Sequence, residues 1–422
     1  MDKMLFTSES VTCGHPDKVC DQVADKILDE LLAQDPDFRV ACEVTCAENQ
    51  MHIFGEITSE AKVNYRAVAQ QVIAEIGYTK PGRGFDADTC AITVDLHHHS
   101  PDIARGITRC REAEQLDAGT GDQGMMFGYA CKQTKSLMPL PIELAHELAK
   151  RLETVRRTGE LPFLLPDGKS QVTVEYDGDR PVRIASVLVS AQHQEDVSTE
   201  AVRAEVRRHV MEAVLPAELL DENTQFYVNP TGRFVYGGPA ADSGLTGCNL
   251  IVDTYGGYAR HGGTFSGKDA TKVDRSGAYM ARYIAKNIVA QDLADQCEVQ
   301  LSYAIGLAEP MSVRIETFGT EKVDKNTLNR AIRNSVDMRP AASDVCRRLE
   351  ARASILNIAC GLRTPDVVRK IRAAYPNVPL IASGGKSNDS ICKTIAAGAN
   401  AITYTPPSTQ ELFKQIMVAY RE

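Results

Sequence analysis

Apolar residues recur every three to four positions from about Asp17 to Ala33, with Val19, Val23, Ile27 and Leu31 on one face. That period predicts an amphipathic helix. Alternating stretches follow at Arg39–Thr45 and Met51–Thr58, and a second helical pattern covers Val63–Ile76. The same order returns as a helix at Pro141–Arg157, strands at Gln171–Tyr176 and Val182–Ser190, and a helix at Thr199–Val214. It returns once more as a helix at Arg275–Ala290, strands at Glu298–Ile305 and Ser312–Phe318, and a helix at Lys325–Val336. The Asp177-Gly178 pair is a strong hairpin signal. A helix–hairpin–helix unit is thus written three times, at a spacing of roughly 120–135 residues. A hairpin with one buried face needs helices to cover it, so the pattern predicts an α+β fold of three pseudo-repeated domains around a pseudo-threefold axis. The expected domains are 1–100, 112–233 and 234–340.

From 341 to 422 the pattern changes. Ile355–Ala359, Leu380–Ser383 and Ala401–Tyr404 read as strands, and Pro365–Ala374, Asp389–Ala397 and Thr409–Tyr420 as helices. This alternation predicts a βαβαβα tail with parallel strands and right-handed crossovers. The tail resembles the last units of a TIM barrel, and Ser383-Gly384-Gly385-Lys386 resembles that fold's phosphate-binding loop. An ordinary strand-to-helix turn is the favoured account of the glycine pair. Three such units are too few to close a barrel.

Charge narrows the function. The 422 residues carry a net charge of −9, which argues against general affinity for nucleic acid. An anionic substrate would need a local cationic pocket, so lysines and arginines near glycines matter most. Met1–Phe6 lacks the apolar core of a signal peptide, and no apolar run is long enough to cross a bilayer. The twelve cysteines include no CxxC pair, as expected for reduced thiols of a cytoplasmic protein. His97-His98-His99 invites a zinc reading, but adjacent side chains diverge and no matching Cys/His pair is spaced nearby.

The candidate chemistry lies in the loops that lead into the first helix of each unit. Gly14-His15-Pro16-Asp17-Lys18 precedes the first. Pro16 suits a first helical turn and Asp17 the positive end of the dipole; His15 can also donate to an anion and Asp17 bind its metal. Gly119-Thr120-Gly121-Asp122-Gln123-Gly124 lies upstream of the second helix and can surround a base or ribose, or form a turn. Gly262-Gly263-Thr264-Phe265-Ser266-Gly267-Lys268 leads, through Lys272 and Asp274, into the third. Glycines that let backbone N–H groups approach an anion, two lysines and a carboxylate point to a polyphosphate with its metal.

These motifs, with Asp167-Gly168-Lys169-Ser170-Gln171, Asn229-Pro230-Thr231-Gly232-Arg233-Phe234 and Val252-Asp253-Thr254-Tyr255-Gly256-Gly257, closely resemble those of the S-adenosylmethionine synthetases (methionine adenosyltransferases), from about Leu5 to about Pro340. The resemblance implies that ATP and L-methionine give S-adenosylmethionine, with the triphosphate cleaved to pyrophosphate and phosphate. It implies Mg²⁺ and K⁺ as cofactors, and homodimers or dimers of dimers with active sites between subunits. Carried over residue by residue, it places His15, Lys169, Lys268 and Lys272 in catalysis, and adds Asp167, Arg233, Phe234 and Asp242 for ATP. Glu56, His99, Asp122, Asp242 and Lys272 would seat methionine, Asp17 and Asp274 would bind Mg²⁺, and Glu43 K⁺. His99–Arg109 would be a mobile lid.

Several departures fall on that site. The family follows Gly-Leu-Thr-Gly with Arg and then Lys or Asn, where this chain has Cys248-Asn249. The missing Arg would be a triphosphate ligand, and a lost charge-assisted contact costs roughly 1.5–3 kcal/mol. The Gly262-Gly263-Thr264-Phe265 loop is one residue shorter than the family's, removing up to ~3.5 Å of reach. His99 stands for a Gln, Cys13 for a Glu, Thr120 for an Ala and Leu165 for a frequent Arg. The family's closing segment is absent. The expected function is a methionine adenosyltransferase; the alternative is a catalytically impaired paralogue that serves as a nucleotide-binding or partner-binding subunit.

Overall fold

The computed structural model describes residues 3–35, 38–80, 83–99 and 120–339, and within 356–403 three strands with a few neighbouring residues. The chain forms two compact bodies, Met1–Asp344 and Val345–Glu422.

The larger body is α+β. Helix α1 (Pro16–Gln34) has Pro16 in its first turn, and His15 caps it by accepting the Asp17 N–H on Nδ1 at 3.3 Å. Its Val19, Val23, Ile27 and Leu31 are fully buried, as their spacing predicts. They pack on the inward residues of the hairpin β2 (Arg39–Ala47) and β3 (Gln50–Thr58), with helix α2 (Tyr65–Ile76) completing the layer. Helix α3 (Leu140–Arg157) covers the second hairpin, β6 (Leu164–Asp177) and β7 (Arg180–His193), through Leu148, Leu152, Val172 and Val187. Both strands run longer than the alternating stretches indicated, because pairing resumes beyond a register irregularity between Leu164 and Gly168.

The expected helix Thr199–Val214 is interrupted. It comprises α4 (Thr199–Val206), a π-helical turn at Arg207–Met211 and a last turn at Glu212–Val214. The wider turn shifts the helical phase, and both Val210 and Met211 are fully buried.

After strand β9 (Gly244–Leu245) and the short helix α5 (Leu250–Asp253) comes helix α6 (Val273–Ala290), which packs on the third hairpin, β10 (Gln296–Tyr303) and β11 (Ser312–Glu316); α7 (Lys325–Ser335) follows. Each hairpin is extended by a strand from elsewhere in the chain. β1 (Met4–Val11), which precedes α1, pairs antiparallel with β6. β5 (Gly124–Cys131), which precedes α3, pairs antiparallel with β10. β9, which precedes α6, pairs antiparallel with β2. The exchange is therefore cyclic: first to second, second to third, third to first. At Gly128 on β5, a Cβ would stand 2.0 Å from the Ala281 carbonyl carbon of α6, so only glycine lets that helix lie so close.

The outer sides of the sheets differ. β4 (Ala91–His97) adds parallel to β3, and β8 (Gln225–Val228) adds parallel to β7. Among the described residues β11 has only β10 as a strand neighbour.

The smaller body contains β12 (Leu356–Ile358), β13 (Leu380–Ser383) and β14 (Ala401–Thr403), paired parallel in that order. Gly384, Gly385 and Lys386 of the candidate phosphate loop lie outside the described residues.

Candidate active site

The first group of candidate residues gathers at the start of α1. His15 is largely buried, and burial holds its imidazole below its ordinary value against the opposing pull of Asp167, Asp17 and Asp242; Lys169 adds to the lowering. The sequence-predicted His15, Asp17, Asp167, Lys169 and Asp242 thus share one neighbourhood. One Asp17 oxygen accepts the Leu245 N–H at 3.0 Å, and the other lies 3.8 Å from His15 Nδ1. Asp167 is buried on β6, and its Oδ2 accepts the Gly238 N–H at 2.7 Å. Burial nevertheless raises its carboxyl above the ordinary value. Lys169 projects half exposed from the register position opposite Val11, 3.9 Å from Glu9.

The second group surrounds the start of α6. Lys268 Nζ donates to Asp274 Oδ2 at 2.8 Å and to Thr264 Oγ1 at 2.7 Å. Gly263 has φ +65°, and a Cβ there would meet the Asp274 side chain at 2.6 Å. Glycine is required by the backbone and by the packing alike. Lys272 Nζ donates to Asp269 Oδ2 at 2.6 Å and lies 3.3 Å from His99 Nε2. Burial and Lys272 both lower the His99 imidazole, which leaves a neutral ring able to accept from the ammonium. The Gly119–Gly124 motif abuts this group, since the Gly121 N–H donates to the Thr271 carbonyl at 3.0 Å. Asp122 is exposed and accepts the N–H of Gln123.

The segment Gly244–Cys248 touches both groups. Its Leu245 is held by Asp17, and at Gly247, beside it, a Cβ would meet the Thr264 side chain at 2.6 Å. Burial raises the Glu43 carboxyl on β2; Lys268 opposes that shift, and Asp21 and Glu56 add to it. Glu56 on β3 pairs with His97 at 3.2 Å. Cys248 is exposed. Partial burial and then Asp17, Asp21 and Glu43 raise its thiol, so it is neutral and faces carboxylates.

Two expected ATP residues follow the Asn229-Pro230-Thr231-Gly232 turn. The Arg233 guanidinium pairs with Glu195 at the surface. Phe234 is anchored through its N–H to His193 Nε2 at 3.1 Å, and its ring lies against Gly237. Residues 100–109 of the expected lid lie outside the described residues.

Other site-building residues escaped the sequence reading. Asp269 is buried and receives Lys272, the Thr271 hydroxyl and the Val40 N–H. Burial raises its carboxyl, but Lys272 and these bonds outweigh burial and the net shift is downward. Asp25 binds Arg275 Nη1 at 2.7 Å and accepts the Gly267 N–H at 2.9 Å. Asp21 accepts the Gly247 N–H at 2.9 Å and joins Asp253 on Lys18. Acidic residues on the polar face of a helix read as solvated; only the loop that folds back onto α1 reveals Asp21 and Asp25 as backbone acceptors.

Among the described residues no three His, Cys, Asp or Glu side chains gather into a metal site. The donors suit magnesium in kind, because Mg²⁺ is usually held by one or two carboxylates together with phosphate and water. Asp17 and Asp274 each supply one carboxylate at a helix start. A monovalent cation beside Glu43 would offset the burial of that charge.

Lysines, an imidazole and isolated carboxylates at helix starts, joined by glycine loops, make an α+β protein suited to a polyphosphate. Three family models match the chain: S-adenosylmethionine synthetase N-terminal domain over residues 3–101, central domain over 117–234 and C-terminal domain over 236–360. The chain belongs to the S-adenosylmethionine synthetase family. The last match runs past Pro340, where the motif resemblance ends. No helix among the described residues is long and apolar enough to cross a membrane.

Proposed function

We propose that this chain is a methionine adenosyltransferase that forms S-adenosylmethionine from ATP and L-methionine. The observation that carries the reading is that two charged groups, around His15 and around Lys268, both touch the Gly244–Cys248 segment. The methionine sulfur uses a lone pair to form a bond to C5′ while the C5′–O bond breaks. The triphosphate leaves with that electron pair and is then hydrolysed to pyrophosphate and phosphate. Catalysis rests on alignment and on stabilising the departing charge.

In this reading, His15, Lys169 and Lys268 hold the triphosphate, and Asp167, Arg233, Phe234 and Asp242 hold the nucleoside. Lys272, fixed by Asp269, with Glu56, His99 and Asp122, seats methionine. Asp17 and Asp274 would hold Mg²⁺ and Glu43 K⁺; bound there, the metal would supply further positive charge to the phosphates. Lys268 must exchange Asp274 for phosphate when substrate binds. The cyclic strand exchange supports three pseudo-repeated domains around a threefold axis, over 1–100, 112–233 and 234–340. Assembly as a homodimer or dimer of dimers would bring groups of different subunits together, and a cytoplasmic location fits the free thiols.

A second reading is a catalytically impaired subunit that binds nucleotide or a partner. Cys248 favours it, because a neutral thiol faces carboxylates where the family carries a cation. One incubation separates the two. Protein with ATP, methionine, Mg²⁺ and K⁺ should yield S-adenosylmethionine and pyrophosphate in equal amounts. ATP binding without either product would favour the impaired subunit.

A further inference from the structure

Beside Asp167 and Phe234, a cavity of about 220 Å³ is lined by Lys80 and Arg83 from the chain after α2, Arg156 near the end of α3, and Leu165, Pro166 and Gln192 from the second hairpin. It is smaller than the roughly 300–1,000 Å³ of sites for drug-sized ligands. Among the described residues three cations line it and no carboxylate does, in a chain whose net charge is −9. Lys80 and Arg83 are exposed and make no ion pair or side-chain hydrogen bond among the described residues. Arg156 is held rigidly: Nη2 donates to Glu153 at 2.6 Å and to the Ile76 carbonyl at 2.7 Å, and Nε donates to Glu153 at 3.1 Å. Its Nη1 makes no hydrogen bond among the described residues and lies 2.6 Å from where a Cβ on Gly77 would stand. Gly77 lines the same cavity.

The other wall is fixed and partly apolar. Gln192 is committed at both ends, accepting from the Asp167 N–H at 3.3 Å and donating to the Val235 carbonyl at 3.0 Å. Leu165 contributes an aliphatic side chain to this wall. Uncommitted cations beside a rigid guanidinium and an aliphatic wall suit an anion with a small organic body.

We propose that this cavity binds a small multiply charged oxyanion, the phosphate or carboxylate groups of a metabolite, between Lys80, Arg83 and Arg156. None of the residues assigned to the transferase reaction lines this cavity, although Asp167 and Phe234 adjoin its wall at Gln192 and Gly237. Calorimetric titration of the purified full chain at low salt, with pyrophosphate and separately with citrate, tests it. The proteins compared are wild type, the double variant Lys80→Ser/Arg83→Ser, and Lys268→Ala. Both exposed side chains can be shortened without disturbing the core. At least one anion should bind a site that Lys268→Ala retains and that the double variant weakens by about tenfold or more. Pyrophosphate alone would identify a phosphate ligand, citrate alone a polycarboxylate, and either supports the site. Absence of binding, identical titrations of wild type and double variant, or loss of the site in Lys268→Ala would overturn the proposal.

Discussion

At the residue scale, the decisive feature is how each charge is held before substrate arrives. Lys268 is paired with Asp274, and Asp17 holds the Leu245 N–H. Both would oppose or organise charge that grows on the leaving group. Lys268→Ala and Asp17→Asn should therefore each lower turnover by about 100-fold or more while folding is retained. Wild-type turnover in either, measured with saturating ATP and methionine, would remove the reaction from these helix starts. Cys248 gives a test of opposite sign. Asp17, Asp21 and Glu43 surround it electrostatically, so an arginine there would have counter-charges to hold it. Cys248→Arg should raise kcat/KM by about tenfold or more, and a folded variant with no gain would place the limitation in the shortened loop or the tail. Of the residues that meet substrate in this reading, His15, Asp122, Lys169, Arg233, Lys268 and Lys272 were legible because they sit in short motifs that contain glycine, whereas Glu56, His99 and Asp242 came only from the family resemblance. Asp21, Asp25 and Asp269 were not legible, because the backbone N–H groups of Gly247, Gly267 and Val40 that they accept lie more than two hundred residues away in the chain.

At the element scale, the amphipathic helices and the three hairpins follow from local periodicity, since their buried faces repeat with the period of the element itself. The strands that join hairpins to one another do not. β5, with the sequence Gly-Met-Met-Phe-Gly-Tyr-Ala-Cys, is buried at nearly every position and does not alternate, and β9 has only two residues. Such strands are defined by the sheet that receives them. The attachment of β1 to α3 offers a titratable probe, because His146 Nδ1 lies 2.8 Å from the Ser10 hydroxyl. Burial first, and then Lys18, depress this imidazole from 6.5 to about 4. The folded state therefore favours the neutral ring. Its contribution to stability is complete above pH 6.5 and is lost as pH falls through about 4, because the unfolded chain takes up the proton first. Urea melts at pH 7, 5.5 and 4.5 should show wild type losing more stability on acidification than His146→Gln, in which that titration is absent. Equal losses would mean that the carboxylates alone set the acid sensitivity.

At the scale of the whole molecule, the three hairpins are unequally enclosed among the described residues. β3 and β7 each carry a further parallel strand on the outside, β4 and β8. On β11 the inward positions are only half-buried, unlike the fully buried Ile53 of β3. Arg333 of α7 donates to the Val313 carbonyl at 3.0 Å, so a side chain occupies an acceptor on that edge. Nearby, Met311 is 69% exposed and Phe318 46%. Fewer buried apolar contacts and unpaired strand edges lower the free energy of local opening. Amide exchange across Ser312–Glu316 should accordingly be about tenfold or more faster than across the paired residues of β3. β10, enclosed between β5 and β11, should stay protected. The consequence reaches the site, because α6 packs on β10 and carries Asp274 in its first turn, with Lys268 and Lys272 just before it. If the third hairpin opens first, mild heating should abolish turnover several degrees below the main unfolding transition seen by circular dichroism. Coincident loss of activity and of ellipticity, with β11 as protected as β3, would show instead that the chain beyond α7 closes this sheet as β4 and β8 close the others.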